Sequence, residues 1–336
     1  MKKAKYYTKN SDGSVNCNLC RLNCRIIENK KGYCGVRLNK DGELYTLVYG
    51  KAVAESIDPI EKKPLYNFFP GSLSYSIATV GCNFDCKHCQ NYHISKYPRQ
   101  NNMIAGQNLA PEEIVKRAVQ AGCKSIAYTY TEPTVFFEYA LETSRLANAA
   151  GLKNIFVTNG YTSNAALDEI SPYLDAANID LKGFTEGFYK KIAGVSLKGV
   201  LETIRHYKEL GIWIEITTLI IPGYNDDETG LRGIAEFIHD ELGAYTPWHI
   251  SAFYPTHELM DVPRTSPETI HKARKIGIEA GLQYVYEGNI RDSDGANTYC
   301  PACSKIVIKR CSFQLAEVNM KSDKCAFCGE KIAGQF

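Results

Sequence analysis

An excess of charge of either sign is missing from this 336-residue chain, in which 39 Lys and Arg stand against 37 Asp and Glu for a net charge of +2. That balance provides no strong field for nucleic acid or anionic membranes, and no basic stretch would supply many phosphate contacts. Long apolar runs are missing too. The start, Met1-Lys2-Lys3-Ala4-Lys5-Tyr6-Tyr7, is positive but has no apolar core behind it, and no stretch approaches the length of a membrane span. The expected location is therefore the cytoplasm, where disulfides are disfavoured. The rest of the composition, 44% hydrophobic and 23% charged, is that of an ordinary globular protein. The length allows one large α/β domain with appendages, or two domains.

Cysteine is not scarce. Thirteen are present, and twelve fall into three groups: Cys17, Cys20, Cys24 and Cys34; Cys82, Cys86 and Cys89; and Cys300, Cys303, Cys311, Cys325 and Cys328. Cys123 stands alone between a helical pattern and an apolar strand, as a small core residue would.

From about residue 72 to 288, short β-rich runs alternate with amphipathic helical patterns, the mark of repeated βα units and a parallel sheet. Strands are expected over 74–80, 125–130, 154–157, 177–181, 213–221, 249–254 and 283–286. Helices are expected over 111–121, 135–150, 164–173, 197–210, 228–242 and 267–280, and Gly122, Gly151, Gly211 and Gly281 stand where helices should stop. Six or seven right-handed units imply a partial or irregular barrel, with its chemistry at the C-terminal strand ends. Residues 1–71 would be a cysteine-rich metal-binding segment, 72–289 the barrel, and 290–336 a zinc-ribbon-like segment.

The central group reads Gly81-Cys82-Asn83-Phe84-Asp85-Cys86-Lys87-His88-Cys89, just past the apolar run 73–80. Three thiolates on a cube of four irons leave one iron open to a cofactor; the plainer alternative is three core cysteines or a partial zinc site. This C-x3-C-x2-C spacing followed by Gln90-Asn91 resembles the signature of radical S-adenosylmethionine (SAM) enzymes, in the branch similar to pyruvate formate-lyase activating enzymes. The resemblance implies a 4Fe-4S cluster on Cys82, Cys86 and Cys89 and SAM chelated at the open iron. It also implies a SAM pocket. Glu132, in Tyr130-Thr131-Glu132-Pro133, resembles the acidic position of the family's Gly-Gly-Glu-Pro, although both glycines are absent here. Thr158-Asn159-Gly160 matches a family Thr-Asn-Gly, and could equally be a plain turn. Asp180 and Lys182 resemble the family's Asp-Leu-Lys and fall on one face of a strand by alternation; a surface ion pair is the alternative. His257, in Pro255-Thr256-His257-Glu258-Leu259, resembles a histidine that approaches SAM. The Arg expected near the end of the preceding strand is not evident, and Thr217-Thr218 occupies that region.

Cys300-x2-Cys303 and Cys325-x2-Cys328 have nearly the spacing of a zinc ribbon, which would stabilise a segment too short to build its own core. Redox-active thiols are the alternative, and Cys311 is left spare. Cys17-x2-Cys20-x3-Cys24-x9-Cys34 also offers four thiolates, and its spacing suits zinc or an auxiliary iron-sulfur cluster alike. This first group, Gly32-Tyr33-Cys34-Gly35-Val36-Arg37, residues 58–65 and Phe69-Pro70-Gly71-Ser72 together resemble the radical SAM member of the AmmeMemoRadiSam system. The resemblance implies an enzyme that forms a 5'-deoxyadenosyl radical, served by an electron donor such as reduced flavodoxin or ferredoxin and acting beside two partner proteins. Its target could be a glycine of another protein, a small molecule or RNA. The reading of another class is a non-catalytic metal-holding scaffold or nucleic-acid module. The near-neutral charge argues against it, and it gives the rim motifs no purpose.

Overall fold

The structure is a computed structural model that describes residues 1–291 and 294–336; two residues of the expected C-terminal segment, 292 and 293, lie outside that description. Seven strands form one sheet in strict sequence order: Leu73–Ala78, Ser125–Tyr128, Lys153–Thr158, Ala176–Asp180, Trp213–Ile220, Trp248–Ala252 and Val285–Gly288. Every neighbouring pair is parallel, as helical crossovers require. An eighth strand, Ala54–Pro59, adds to the first in antiparallel sense, and the sheet ends there without meeting Val285–Gly288. The fold is thus an α/β partial barrel in outline: parallel, curled and open. The edge strand was not expected. Its run Ala54-Glu55-Ser56-Ile57-Asp58-Pro59 is too polar to read as a strand, and Pro59 is tolerated because it sits at an edge.

The segment after the edge strand runs across the N-terminal ends of the barrel strands and is held by most of them. Ile60, Leu65 and Phe68 pack with Ala127, Ile155 and Ala176 of the second, third and fourth strands. Asn178 donates to the Pro64 carbonyl at 2.8 Å, and the Glu215 carboxylate accepts from the Tyr66 and Asn67 amides at 2.9 Å each. The Tyr66 ring lies 4.7 Å from His249, and Tyr286 donates to Asn67. One segment satisfied by strands two through seven acts as a plug. Above it, the buried Asp58 carboxylate accepts from Lys63 at 2.7 Å, Tyr130 at 2.5 Å and Ser76 at 3.0 Å.

The helices lie outside, each with a local reason to start. Ser163, Ser196, Asp227 and Ser266 accept from backbone amides in the first turns of Asn164–Ile170, Leu197–Glu209, Glu228–Phe237 and Pro267–Glu279. Each cap contributes about 1 kcal/mol. Val200, Ile204 and Tyr207 of Leu197–Glu209 are buried at helical spacing against the sheet. Three expected helices differ at an end. The helix expected from 135 begins as the tight turn Pro133–Phe136, capped by Glu132, before Phe137–Ala149. The helix expected to reach 173 stops at Ile170 and tightens through Ser171–Tyr173, where Pro172 removes a donor. The helix expected to reach 242 widens over Ile238–Leu242.

The N-terminal segment covers helices on the side of the second, third and fourth crossovers. The Lys5 amide and Arg37 both bind Glu138, and Arg21 reaches Glu202, Thr203 and Asn164. The C-terminal segment packs at the opposite end, under the plug: Arg310 donates to the Tyr66 carbonyl at 2.8 Å, and the Phe69 amide donates to Gln335 at 2.6 Å.

Candidate active site at the strand ends

The first strand ends at Ala78, and the chain then loops through Cys82, Cys86 and Cys89 before the short helices Tyr92–Ser95 and Tyr97–Asn101. Gly81, at φ +102°, opens this loop in a conformation that favours glycine. A Cβ there would stand 2.6 Å from Val36 and 3.0 Å from the Cys34 carbonyl. The Cys82 sulfur accepts from the Phe84 amide at 3.4 Å, and Cys89 lies 3.3 Å from the Ser95 hydroxyl. Burial pushes the Cys82 thiol up and the Cys86 thiol to about 12, the latter against the pull of Lys182. Such thiols release their protons when cationic metal replaces them, which is the donor chemistry an iron-sulfur cluster uses. Three thiols on one loop are the donor set of the cluster that the sequence implies.

Polar side chains from the other strand ends close on this loop. Asn159 follows the third strand; its side-chain amide donates to Asn83 at 2.8 Å and points at the Cys82 sulfur at 3.7 Å. Lys182 follows the fourth strand and pairs with Asp180 at 2.8 Å. Burial pulls its ammonium down, but Asp180 and Cys86 outweigh that and hold it charged. Tyr189 receives the Lys182 amide at 3.0 Å. His257, at φ +51°, stacks on Tyr92 with ring centroids 4.4 Å apart, and the adjacent Glu258 amide donates to the Lys87 carbonyl at 3.0 Å. Burial, with Lys96 nearby, lowers the His257 pKa and favours a neutral ring. Lys96 joins Asp85 at 2.9 Å to Glu258 at 3.1 Å, tying the cysteine loop to the loop of His257.

Glu132 is present at the same rim, but its oxygens are occupied. It is completely buried and accepts from the Thr134 amide and hydroxyl, the Thr158 hydroxyl and the Asn159 amide, at 2.6 to 3.0 Å. A carboxylate has about four lone-pair sites, so this one is spent on orienting Thr158 and Asn159. Burial nevertheless raises its pKa against those four donors.

Several residues at the rim escaped the sequence reading. Asn91 donates to the Tyr130 carbonyl at 2.8 Å, and Asn225 fastens the Lys182 carbonyl at 2.7 Å. Thr217, in register with Asp180, has a buried hydroxyl without a protein partner among the described residues. His88 is buried with an unpartnered Nδ1 and is pushed down to about 3 by burial, Lys182 and Lys96. Asn91 and His88 lie beside or within the cysteine motif, and Thr217 stands where an Arg was expected, but only the fold gives them their surroundings; Asn225 meets Lys182 from 43 residues away.

The flanking thiols separate into two geometries. Cys300 and Cys328 stand 3.6 Å apart, Cys303 and Cys325 3.8 Å apart, and all four sulfurs lie within 4.8 Å of one another. Tetrahedral zinc with bonds of about 2.3 Å spaces its thiolates about 3.8 Å apart. Cys311 is exposed and outside the set. Cys17, Cys20, Cys24 and Cys34 line one small cavity beside the rim.

The family model described as Radical SAM superfamily matches residues 76–231, which include the three rim cysteines. An uncharacterized protein of Methanocaldococcus jannaschii is 45% identical over 334 residues, 99% of each chain. The pyruvate formate-lyase-activating enzyme of Clostridium pasteurianum is 22% identical over 218 residues, 62% of this chain and 89% of that one. A radical SAM methyltransferase from Sphaerobacter thermophilus superposes with a TM-score of 0.51 over 68% of this chain and 69% of that one at 18% identity, a likeness of fold. No described helix is long and apolar enough to cross a membrane. With its cysteine loop at the head of a parallel, open barrel, the chain carries a radical SAM domain over residues 76–231 and is related to the pyruvate formate-lyase activating enzymes.

Proposed function

We propose that the chain reductively cleaves SAM at the rim and directs the resulting radical at a partner protein, as a glycyl-radical activating enzyme would. The observation that carries this reading is the closure of three separate strand ends, at Asn159, Lys182 and His257, onto the loop of Cys82, Cys86 and Cys89. When held by Cys82, Cys86 and Cys89, a 4Fe-4S cluster would supply the electron that breaks the carbon-sulfur bond of SAM, releasing methionine and leaving a 5'-deoxyadenosyl radical. The chain's part is to hold, orient and enclose. Cys82, Cys86 and Cys89 are the metal ligands. Asp180, Lys182, Thr217 and His257 offer polar groups to SAM, while Glu132 and Thr158 position Asn159 beside Cys82. The electron donor is a reduced flavodoxin or ferredoxin.

The activating-enzyme reading rests on the relative of that name and on the rim. Membership in the AmmeMemoRadiSam system, with partner proteins supplying specificity, rests on the cysteine motif around Cys34 and the 58–72 segment. Zinc at Cys300, Cys303, Cys325 and Cys328 is proposed from their spacing.

The deciding experiment is anaerobic reconstitution, reduction and assay for 5'-deoxyadenosine. The wild type should form it, and the C82A/C86A/C89A variant should keep its circular dichroism and form none. Undiminished product in that variant sinks the proposal. With candidate partners added, a stable glycyl radical on another polypeptide supports activation; a modified small molecule without it overturns that part.

A further inference from the structure

The N-terminal thiols differ from the C-terminal set in a way that bears on what they hold. Among the described residues, Cys300, Cys303, Cys325 and Cys328 alone form a group whose ligand atoms all fall within 4.8 Å. Cys17, Cys20, Cys24 and Cys34 are spread wider, around a void of about 20 Å³, more than the least space a water molecule needs. Thiolates on a single zinc ion touch one another and leave no such void. A cube of irons and sulfides separates its four ligands by its own width.

The walls hold one unused buried donor. Arg37, only 1% exposed, lines the cavity. Its terminal nitrogens are taken, one by both Glu138 oxygens at 3.0 and 3.1 Å and the other by the Lys5 carbonyl at 2.5 Å. Among the described residues its Nε has no partner. A buried guanidinium donor left over beside four thiols is a ready hydrogen bond to cluster sulfur, which is how proteins tune such centres. The cavity also shares a wall with the rim through Asn83, the neighbour of Cys82, and the Cys34 carbonyl abuts Gly81.

We infer that Cys17, Cys20, Cys24 and Cys34 hold a second iron-sulfur cluster, a 4Fe-4S centre packed against the rim loop. Four thiolates close its coordination, so it has no open iron and takes no SAM.

The full-length C82A/C86A/C89A variant, reconstituted anaerobically, tests this apart from the function proposed above. It should retain about four irons per chain, with a reduced-state paramagnetic resonance signal that added SAM does not move. Further replacement of Cys20 and Cys24 by Ala should remove that iron. Should that variant unfold, C24S alone in the triple background should shift the signal. A triple variant without iron but with a second zinc, or iron indifferent to Cys20 and Cys24, overturns the inference. Iron content equal in wild type and triple variant would instead count against the rim cluster.

Discussion

Asp58 shows how one carboxylate can hold the barrel's open edge. Burial alone would raise its pKa, but the Lys63 ammonium and the Tyr130 and Ser76 hydroxyls outweigh burial and hold it below the usual carboxylate range. Lys63 is itself buried, and its pKa is lowered by that burial. D58N leaves an uncompensated buried cation, so urea denaturation should show a loss of about 3–5 kcal/mol. The folded pKa of Asp58 lies below the unfolded value of about 3.9. Its stabilisation is therefore complete above that pH and is lost as pH falls through the folded value, whereas the D58N variant should lack this part of the acid dependence. Little of this was legible. The motif around Asp58 stood out by resemblance, but nothing local says that Tyr130 comes back to it. Glu132 teaches the same lesson: a carboxylate at a strand end was readable, while its saturation by Thr158 and Asn159 depends on residues more than twenty positions away.

At the level of elements, the seven parallel strands were legible because fully buried β-rich runs alternate with capped amphipathic helices, and both signals are local. The edge strand was not, since half its side chains face solvent and its pairing is set by the first strand rather than by its own pattern. The cysteine loop was readable as a motif, but not its seat. Gly81 determines that seat, because its left-handed backbone brings the loop within contact of Val36 and the Cys34 carbonyl. G81A should cost about 1–3 kcal/mol from backbone strain. It should also lower the iron bound by the rim cysteines, measured as iron per chain after reconstitution beside the wild type. Wild-type iron content together with wild-type stability would show that the loop does not depend on this contact.

At the scale of the whole molecule, the two ends of the chain serve opposite ends of the barrel: the N-terminal segment flanks the rim, and the C-terminal segment braces the plug. Cys300, Cys303 and Cys325 pack in one cluster with Tyr284 and Tyr286, at the start of the last strand. Removing the zinc proposed for the four C-terminal thiols with a chelator, or replacing Cys300, Cys303, Cys325 and Cys328 with Ser, should lower Tm by more than about 5 °C. SAM affinity of the protein that remains folded should be unchanged, because the site is at the far end. That the tail brings four thiols together could be read from its spacing; that it locks the barrel from below could not, since Arg310 and Tyr66 are joined only by the fold. The strand order also shapes how the molecule forms. Each parallel strand joins the one made before it, so the sheet can grow by short-range accretion in the direction of synthesis. The plug is the exception: its contacts to Glu215, Tyr286 and Arg310 span 149, 219 and 244 residues. Refolding should therefore finish with the plug and tail docking together, and the nascent chain holds its barrel unsealed until the last hundred residues have emerged.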